Sequence, residues 1–181
     1  ACSPIGPRHT ITRSQQNVII SLDGRAALDV LKEDIGEPGW TSFSQSGGSN
    51  IFAGLPIAGS ATGDYLVRNL IGIDPVQKLV AIGDFTQHGM QLMFCRRDGR
   101  SAIEDMSRML ESIKSGLFAR PRGGLYYSCV GRGPNLFGGE SEEVDMIAEA
   151  LGEFPLVGFF CGGEISHNRL YGYTGVLTLF L

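Results

Sequence analysis

The sequence lacks the charged clusters and long apolar runs that mark two large classes of protein. Its 181 residues carry a net charge of −4 and no dense group of lysine and arginine, so the electrostatic footprint of a nucleic-acid-binding protein is missing. No apolar run approaches the length of a membrane span. Residues 1–10 hold prolines, an arginine and a histidine, and we expect no signal peptide there. We therefore expect partners other than nucleic acid or a membrane.

The sequence also lacks the cysteine and histidine spacings of disulfide frameworks and metal sites. Its four cysteines lie far apart and include no Cys-x-x-Cys pair: Cys2, Cys95, Cys129 and Cys161. The last three fall inside or at the ends of apolar runs, which is typical of reduced, buried cysteines. Its three histidines fall in no ligand motif, and we expect each on the surface or in a loop: His9, His88 and His167. The sequence thus predicts a cytoplasmic protein with reduced thiols, no metal ion and no cofactor.

Motifs of common catalytic sites are missing as well. There is no Gly-x-x-x-x-Gly-Lys-Ser/Thr phosphate loop, no Gly-x-Gly-x-x-Gly after a strand and no Gly-x-Ser-x-Gly nucleophile elbow. We therefore expect no self-sufficient enzyme. One enzymatic alternative stays open, in which Cys129 or Cys161 is a nucleophile and Arg132 supplies the positive charge that favours a thiolate.

The apolar periodicity that is present predicts a mixed α/β fold, a single domain with helices packed on a mixed β-sheet. We assign residues 1–16 to an N-terminal segment and residues 17–181 to the domain. The predicted strands cover 17–22, 65–73, 78–83, 89–96, 124–130, 155–161 and 173–181. The predicted helices cover 27–35, 101–115 and 141–151. The spacing of the second, third and fourth strands favours an antiparallel meander.

The starts of the second and third helices carry capping signals. Ser101 and Glu104 match a capping box, in which each side chain satisfies a free N–H at the helix start. Ser141 is expected to cap the third helix. Glu142 and Glu143 follow in its first turn, where the helix dipole favours anions.

Residues 36–63 differ in composition from the rest of the chain. Gly36 ends the first predicted helix, and Pro38 prevents its continuation. Fourteen of these 28 residues are glycine, serine or proline, with large apolar residues scattered among them. We expect a long Gly/Ser-rich loop, or short strands, packed on the surface of the core.

Glycine-rich loops follow the predicted strands 124–130 and 155–161. The helix–strand order makes these strands parallel neighbours, so both loops open at the end of the sheet where open α/β sheets form ligand crevices. The candidate ligand site consists of glycines and polar residues in these loops and at the start of the last strand: Gly131, Arg132, Gly133, Asn135, Gly163, Glu164, Tyr173 and Thr174.

Arg132 and Glu164 are the charged residues that follow the two strand ends. An amino-acid ligand would need complementary charge at both of its ends, since burying an unpaired charge is costly. We therefore predict that Arg132 binds the carboxylate through its planar guanidinium and that Glu164 binds the ammonium group. In the rival interpretation the two side chains pair with each other and bind nothing.

The same segments resemble the C-terminal domain of the FIST family. The resemblance spans most of the chain, from about residue 17 to the end. The matching segments follow the order of that family: 22–31, 64–75, 125–138 (LYYSCVGRGPNLFG), Glu142 and Glu143, 155–165 (PLVGFFCGGEI) and 170–180 (LYGYTGVLTLF).

The resemblance implies a small-ligand-binding sensory domain in intracellular signal transduction, with amino acids as suggested ligands. It also implies two protein partners, an N-terminal FIST domain and a downstream signalling protein, and it supplies no catalytic residues. One alternative is a protein-interaction scaffold that docks a partner through the last strand or the 36–63 loop. The cysteine-dependent enzyme is the other alternative and has the least support.

Overall fold

The computed structural model describes residues 2–45, 50–57, 64–139, 141–166 and 168–181, apart from the side chain of Asn135. The mixed α/β single-domain class predicted from the sequence is confirmed. Within it the chain forms two compact units, Ser3–Arg97 and Asp98–Leu181, the latter with Cys2.

Strands of the first unit close into a barrel. Its elements are β1 (Cys2–Pro4), β2 (His9–Gln15), β3 (Val18–Leu22), β4 (Arg25–Ala26), α1 (Ala27–Gln45), β5 (Ile51–Pro56), β6 (Tyr65–Asp74), β7 (Leu79–Ile82) and β8 (Gln91–Arg97). The pairing order β8-β2-β3-β7-β6-β5 returns from β5 to β8, and each of these pairs is antiparallel. Closure pairs the backbone groups that an open sheet edge would expose.

The predicted antiparallel meander is correct for β6 and β7 and wrong for β8. β6 pairs with β7 as expected, but β8 lies between β2 and β5. Its partners, His9–Thr10 and Ile51–Gly54, are distant in sequence, and strand spacing reports only local hairpins. β2 is a barrel strand, so residues 9–15 of the predicted N-terminal segment 1–16 belong to the barrel.

Helix α1 packs against the barrel and is interrupted at Gly36. Leu28 and Leu31 are buried with inward-facing strand residues such as Ile11. Gly36 has a φ of 66°, which glycine adopts at little cost, and it ends the first helical segment as predicted. The expectation that Pro38 prevents continuation is wrong, because a second segment reaches Gln45. Proline is favourable in the first turn of a helix, where its missing N–H is not needed.

Of the two alternatives predicted for residues 36–63, a short strand is correct for Ile51–Pro56, although this strand lies in the core and not on its surface, and a long loop is wrong for residues 37–45. The region contains the second segment of α1 and strand β5, in which Ile51 and Leu55 are buried in the barrel core. Several large apolar residues of this region, Phe43, Ile51 and Leu55, are therefore core residues. The serine and glycine residues around them obscured the strand pattern in the sequence. Residues 46–49 and 58–63 lie outside the described residues.

The second unit is a sheet with helices on one face. Its elements are α2 (Gly99–Gly116), β9 (Gly123–Cys129), α3 (Pro134–Phe137), α4 (Glu142–Leu151), β10 (Leu156–Cys161), β11 (Glu164–Ser166), β12 (Arg169–Tyr171) and β13 (Gly175–Phe180). β9 lies between β10, which is parallel to it, and β13, which is antiparallel. The predicted parallel pairing of segments 124–130 and 155–161 is confirmed, as are helices near 101–115 and 141–151.

Both long helices of this unit begin at polar residues, but with different contacts than predicted. Asp98 precedes α2 and accepts the backbone N–H of Ser101 at 2.8 Å, so the cap is three residues earlier than the predicted capping box. Ser141 stands at the predicted cap position of α4. Its hydroxyl donates to Asp145 at 2.7 Å instead of accepting a backbone N–H.

The two faces of the second sheet have different environments. Tyr126 and Ser128 point toward the helices and are buried. On the opposite face Val157 is 68% exposed, Phe159 65% and Phe180 53%. The predicted strand 155–161 is therefore present but largely exposed, despite its apolar sequence. β10 is an edge strand, and within the described part of this unit helices cover only one face of the sheet.

His9 lies in the first unit between two carboxylates. Its Nδ1 is 2.6 Å from Asp23 Oδ2 and its Nε2 is 2.9 Å from Asp34 Oδ2. The histidine is 7% exposed, so its expected position on the surface or in a loop is wrong. Burial alone would lower the pKa of His9, but its hydrogen bonds to the carboxylates of Asp23 and Asp34 and their negative charges outweigh burial, and the pKa of His9 is raised.

This contact should make the stability of the protein depend on pH. A raised folded-state pKa means that the stabilisation is complete below the unfolded value of about 6.5 and is lost as pH rises through the folded pKa. We expect the free energy of unfolding, measured by denaturant titration, to fall over that range. His9→Gln should flatten this fall, whereas His88→Gln, at an exposed position, should preserve it. An equal pH slope in wild type and His9→Gln would exclude the mechanism.

Candidate functional site

The second unit contains a buried carboxylate, Glu143, that accepts several hydrogen bonds. Its Oε1 receives the Tyr126 hydroxyl at 2.6 Å and Arg132 Nε at 2.8 Å. Its Oε2 receives the backbone N–H of Gly133 at 3.1 Å. The Ser128 hydroxyl lies 3.1 Å from both oxygens. We call these five residues the Glu143 cluster.

Local chain geometry explains why these residues meet. Tyr126 and Ser128 are two positions apart on β9, so their side chains share the face that meets the helices. Arg132 and Gly133 follow in the loop after this strand. Glu143 is in the first turn of α4, where the helix dipole stabilises its negative charge. The cluster therefore ties the strand, its loop and the start of the helix together.

Arg132 is held by contacts within this cluster and beside it. Its Nη2 lies 2.8 Å from Glu143 Oε1, and both side chains are 6% exposed. The same Nη2 is 3.7 Å from the sulfur of Met106, and the guanidinium carbon lies 4.9 Å from the centre of the Phe137 ring. A buried pair of this kind compensates two charges that would each be costly alone.

The phenol of Tyr126 stays protonated in this environment. Burial raises the pKa of Tyr126, the positive charge of Arg132 opposes the rise, and the hydrogen bond to Glu143 adds to it. The net pKa is raised, so Tyr126 remains a hydrogen-bond donor to the carboxylate.

A cleft of about 340 Å³ opens beside the cluster, between α4 and β10. The lining residues are Tyr126, Ser128, Ser141, Glu143, Val144, Leu156, Val157, Gly158, Phe159 and Phe160. Its volume is at the lower end of the range of about 300–1,000 Å³ for small-molecule sites. Gly158 permits the close approach of β10 to β9, because a Cβ there would lie 1.7 Å from the carbonyl oxygen of Tyr126.

Comparisons with known proteins identify the family. The model of the FIST C domain matches residues 27–167. This chain belongs to the FIST C domain family. The resemblance recognised in the sequence is thereby confirmed, and the family is one of sensory-type domains in signalling proteins.

The curated relatives of this FIST C domain are uncharacterized proteins of mycobacteria. One from Mycobacterium tuberculosis strain H37Rv is 34% identical over 189 residues, covering 99% of this chain and 49% of the relative. One from Mycobacterium bovis is 32% identical over 192 residues, covering 99% of this chain and 48% of the relative. The chain thus spans about half the length of these relatives. No solved structure matches the chain.

No helix in the described residues has both the length and the apolar character needed to cross a membrane. Over the same ranges, no group of three or more His, Cys, Asp or Glu side chains is arranged to hold a metal ion.

The structure divides the candidate ligand residues between two places in the FIST C domain. Arg132 and Gly133 belong to the Glu143 cluster. Glu164 is separate and 3% exposed, and it accepts the Thr174 hydroxyl at 2.5 Å and the Cys161 thiol at 3.3 Å. The described contacts of Arg132 and Glu164 do not join them to each other.

The remaining candidate residues follow β9 or precede β11 and β13. Gly131 packs beneath Tyr173, since a Cβ there would lie 2.8 Å from the tyrosine ring. Gly163 directly precedes Glu164 at the start of β11. Asn135 is in α3, and the prediction for its side chain lies outside the described part of the structure.

Tyr126, Ser128 and Glu143 were not among the site residues predicted from the sequence. A usable signal was present, because Glu143 precedes Ile147 by four residues and Leu151 by eight, which puts it on the buried stripe of α4. The prediction treated Glu143 only as a first-turn anion beside Glu142 and did not use this spacing. The alternation that puts Tyr126 and Ser128 on one face of β9 supplies the matching partners.

Removing either charge of the buried pair should strongly destabilise the FIST C domain. Arg132→Met and Glu143→Gln should each lower the free energy of unfolding by about 3–5 kcal/mol, because each leaves an uncompensated buried charge. The double variant should lose clearly less than the sum of the two. Chemical denaturation of the four proteins measures the coupling.

An exposed ion pair on α2 serves as the control for this cycle. Arg100 and Glu104 have side chains 89% and 63% exposed, and their coupling should stay within about 0.5 kcal/mol. Additive losses at Arg132 and Glu143 would contradict the buried pair. So would an Arg132→Met protein whose melting temperature stays within a few degrees of wild type.

Proposed function

We propose that this FIST C domain is a small-ligand-binding sensory domain in intracellular signal transduction, and that its ligand binds in the cleft between α4 and β10. The observation that carries the proposal is the placement of this cleft directly on the Glu143 cluster. A cleft with mostly apolar walls and a few fixed polar groups is the usual form of a small-molecule site. The polar groups here are held by mutual hydrogen bonds before any ligand binds.

The cleft is also positioned to convert binding into a conformational signal. One wall is helix α4, through Val144, and the other is the edge strand β10, through Phe160. A ligand that binds one spacing of helix and strand better than another shifts the population toward that spacing. The receivers of the signal would be a downstream signalling protein and an N-terminal FIST domain.

The geometry supports ligand binding without requiring an amino acid. Recognition of a carboxylate by Arg132 and of an ammonium group by Glu164 stays a prediction. Each of these side chains already has compensating partners, so a ligand carboxylate would have to compete with Glu143 for Arg132. A ligand that binds in the cleft does not have to break the ion pair between Arg132 and Glu143.

The environment of the thiols also supports a binding role over a cysteine-dependent enzyme. Burial raises the pKa of the Cys161 thiol, and the neighbouring Glu164 raises it further. Cys129 is 5% exposed. A nucleophilic cysteine needs the opposite conditions, a lowered pKa and access to substrate. A cytoplasmic location is part of the same proposal, since all four cysteines are free thiols.

Filling the cleft should abolish ligand binding and leave the fold intact. Val144 is 47% exposed on the cleft wall, so Val144→Trp places its ring in the cleft without entering the core. A thermal-shift screen of amino acids and small metabolites supplies the ligand. At 100 times its dissociation constant a ligand stabilises wild type by about 2.7 kcal/mol, and we expect this gain to vanish in the variant.

Ile103→Trp on α2 is the matched control. Ile103 is 39% exposed and outside the cleft, so its variant should respond to the ligand as wild type does. An undiminished thermal shift in Val144→Trp would show that the ligand binds elsewhere. Absence of any stabilising ligand in the screen would count against the sensory function itself.

A protein-interaction role is the second candidate, and the uncovered sheet face favours it. Val157, Phe159 and Phe180 form an apolar surface on the side of the sheet away from α4. Large exposed apolar surfaces of this kind are typical of interaction sites. Because Val144 lies on the other side of the sheet, a partner that binds this face should tolerate Val144→Trp, and the two functions can be separated in one variant.

A further inference from the structure

The hydroxyl groups that line the cleft share one chemical property: each donates its proton to a carboxylate of the protein. Tyr126 and Ser128 donate to Glu143, and Ser141 donates to Asp145. A hydroxyl group has one donor and two acceptor lone pairs. The lining hydroxyls therefore offer a ligand their acceptor lone pairs, and their donors are already used.

Glu143 itself has no free acceptor site for a ligand, and its negative charge is already compensated by Arg132. A carboxylate has roughly four acceptor sites. Tyr126, Ser128, Gly133 and both the Nε and Nη2 groups of Arg132 occupy them. The guanidinium compensates the charge, so a ligand ammonium ion would bury its own charge unpaired.

The remaining side chains of the lining are apolar. Val144 belongs to the helix wall, and Leu156 and Phe160 belong to the strand wall. Arg132 is not among the lining residues. Among the described lining residues, donors for a ligand carboxylate are thus confined to backbone amides, which lie along the β10 edge and in the first turn of α4.

We propose that the cleft selects a compact, neutral and mainly apolar molecule that donates one N–H or O–H group to the oxygen of Ser128 or Tyr126. This inference rests on the proposed ligand-binding function and names the chemical class of its ligand. The side chains of the walls carry no charge, so an ionised ligand would lose its hydration without gaining a charged partner. The hydroxyl oxygens on the floor of the cleft are acceptors, so the ligand must bring a hydrogen-bond donor. A molecule that covers those acceptors without donating leaves them unpaired, which weakens its binding.

Indole and benzofuran test this class directly, because they differ in little except the N–H group of indole. Titrations followed by NMR or calorimetry should give indole a dissociation constant at least about ten-fold lower, the effect of one hydrogen bond to a buried acceptor. The ratio should fall toward one in Ser128→Ala or in Tyr126→Phe. Either variant leaves Glu143 its ion pair with Arg132. Val144→Trp should bind neither probe, and Ile103→Trp should bind both as wild type does.

The possible outcomes separate this inference from the function on which it rests. Equal affinities for indole and benzofuran would overturn the donor requirement and leave ligand binding in the cleft intact. Tighter binding of indole-3-carboxylate than of indole would show recognition of an anion and would overturn the neutral class. Failure of indole to bind, together with a metabolite whose thermal shift is lost in Val144→Trp, would reject the ligand class alone.

Discussion

The buried carboxylate of Glu143 requires a compensating charge and several hydrogen-bond donors beside it. An ionised side chain that is 5% exposed needs a compensating charge and enough hydrogen bonds to replace water. Arg132 supplies the charge, and Tyr126, Ser128 and the Gly133 amide supply the bonds. These groups come from β9, from the loop after it and from α4, so a single electrostatic requirement fixes the position of the helix on the sheet.

The same requirement shapes the cleft. Because the hydroxyl groups of Tyr126 and Ser128 donate to Glu143, the floor of the cleft offers a ligand hydrogen-bond acceptors. It offers no uncompensated charge, because Arg132 pairs with Glu143. Because Gly158 lets β10 approach β9 closely, the cleft forms between this strand and α4 instead of being filled by a side chain. The edge position of β10 leaves its outer face apolar and open. The proposed ligand cleft and the proposed partner surface thus lie on opposite sides of one sheet, an arrangement that suits a domain that converts binding into a signal.

Much of the second unit could be predicted from the sequence, because its pattern is local. The stripe of α2, the paired apolar strands and their glycine loops predicted the parallel pairing that the structure confirms. The barrel could not be predicted in this way, since β8 pairs with strands distant in sequence. For the candidate site, loop position drew attention to Arg132 but not to its partner, Glu143. Glu143 was hidden because a charged residue in a first helical turn normally faces water, and only its four-residue spacing to Ile147 places it inward.

The location of the bound ligand tests this account most directly. A methyl-resolved NMR titration with indole reports on both units at once. Cleft binding predicts chemical-shift changes at the methyl groups of Val144 and Leu156, and none at Ile11 and Ile82 of the barrel core. Changes confined to the barrel, or to residues remote from α4 and β10, would contradict the claim that the Glu143 cluster is the floor of the ligand site.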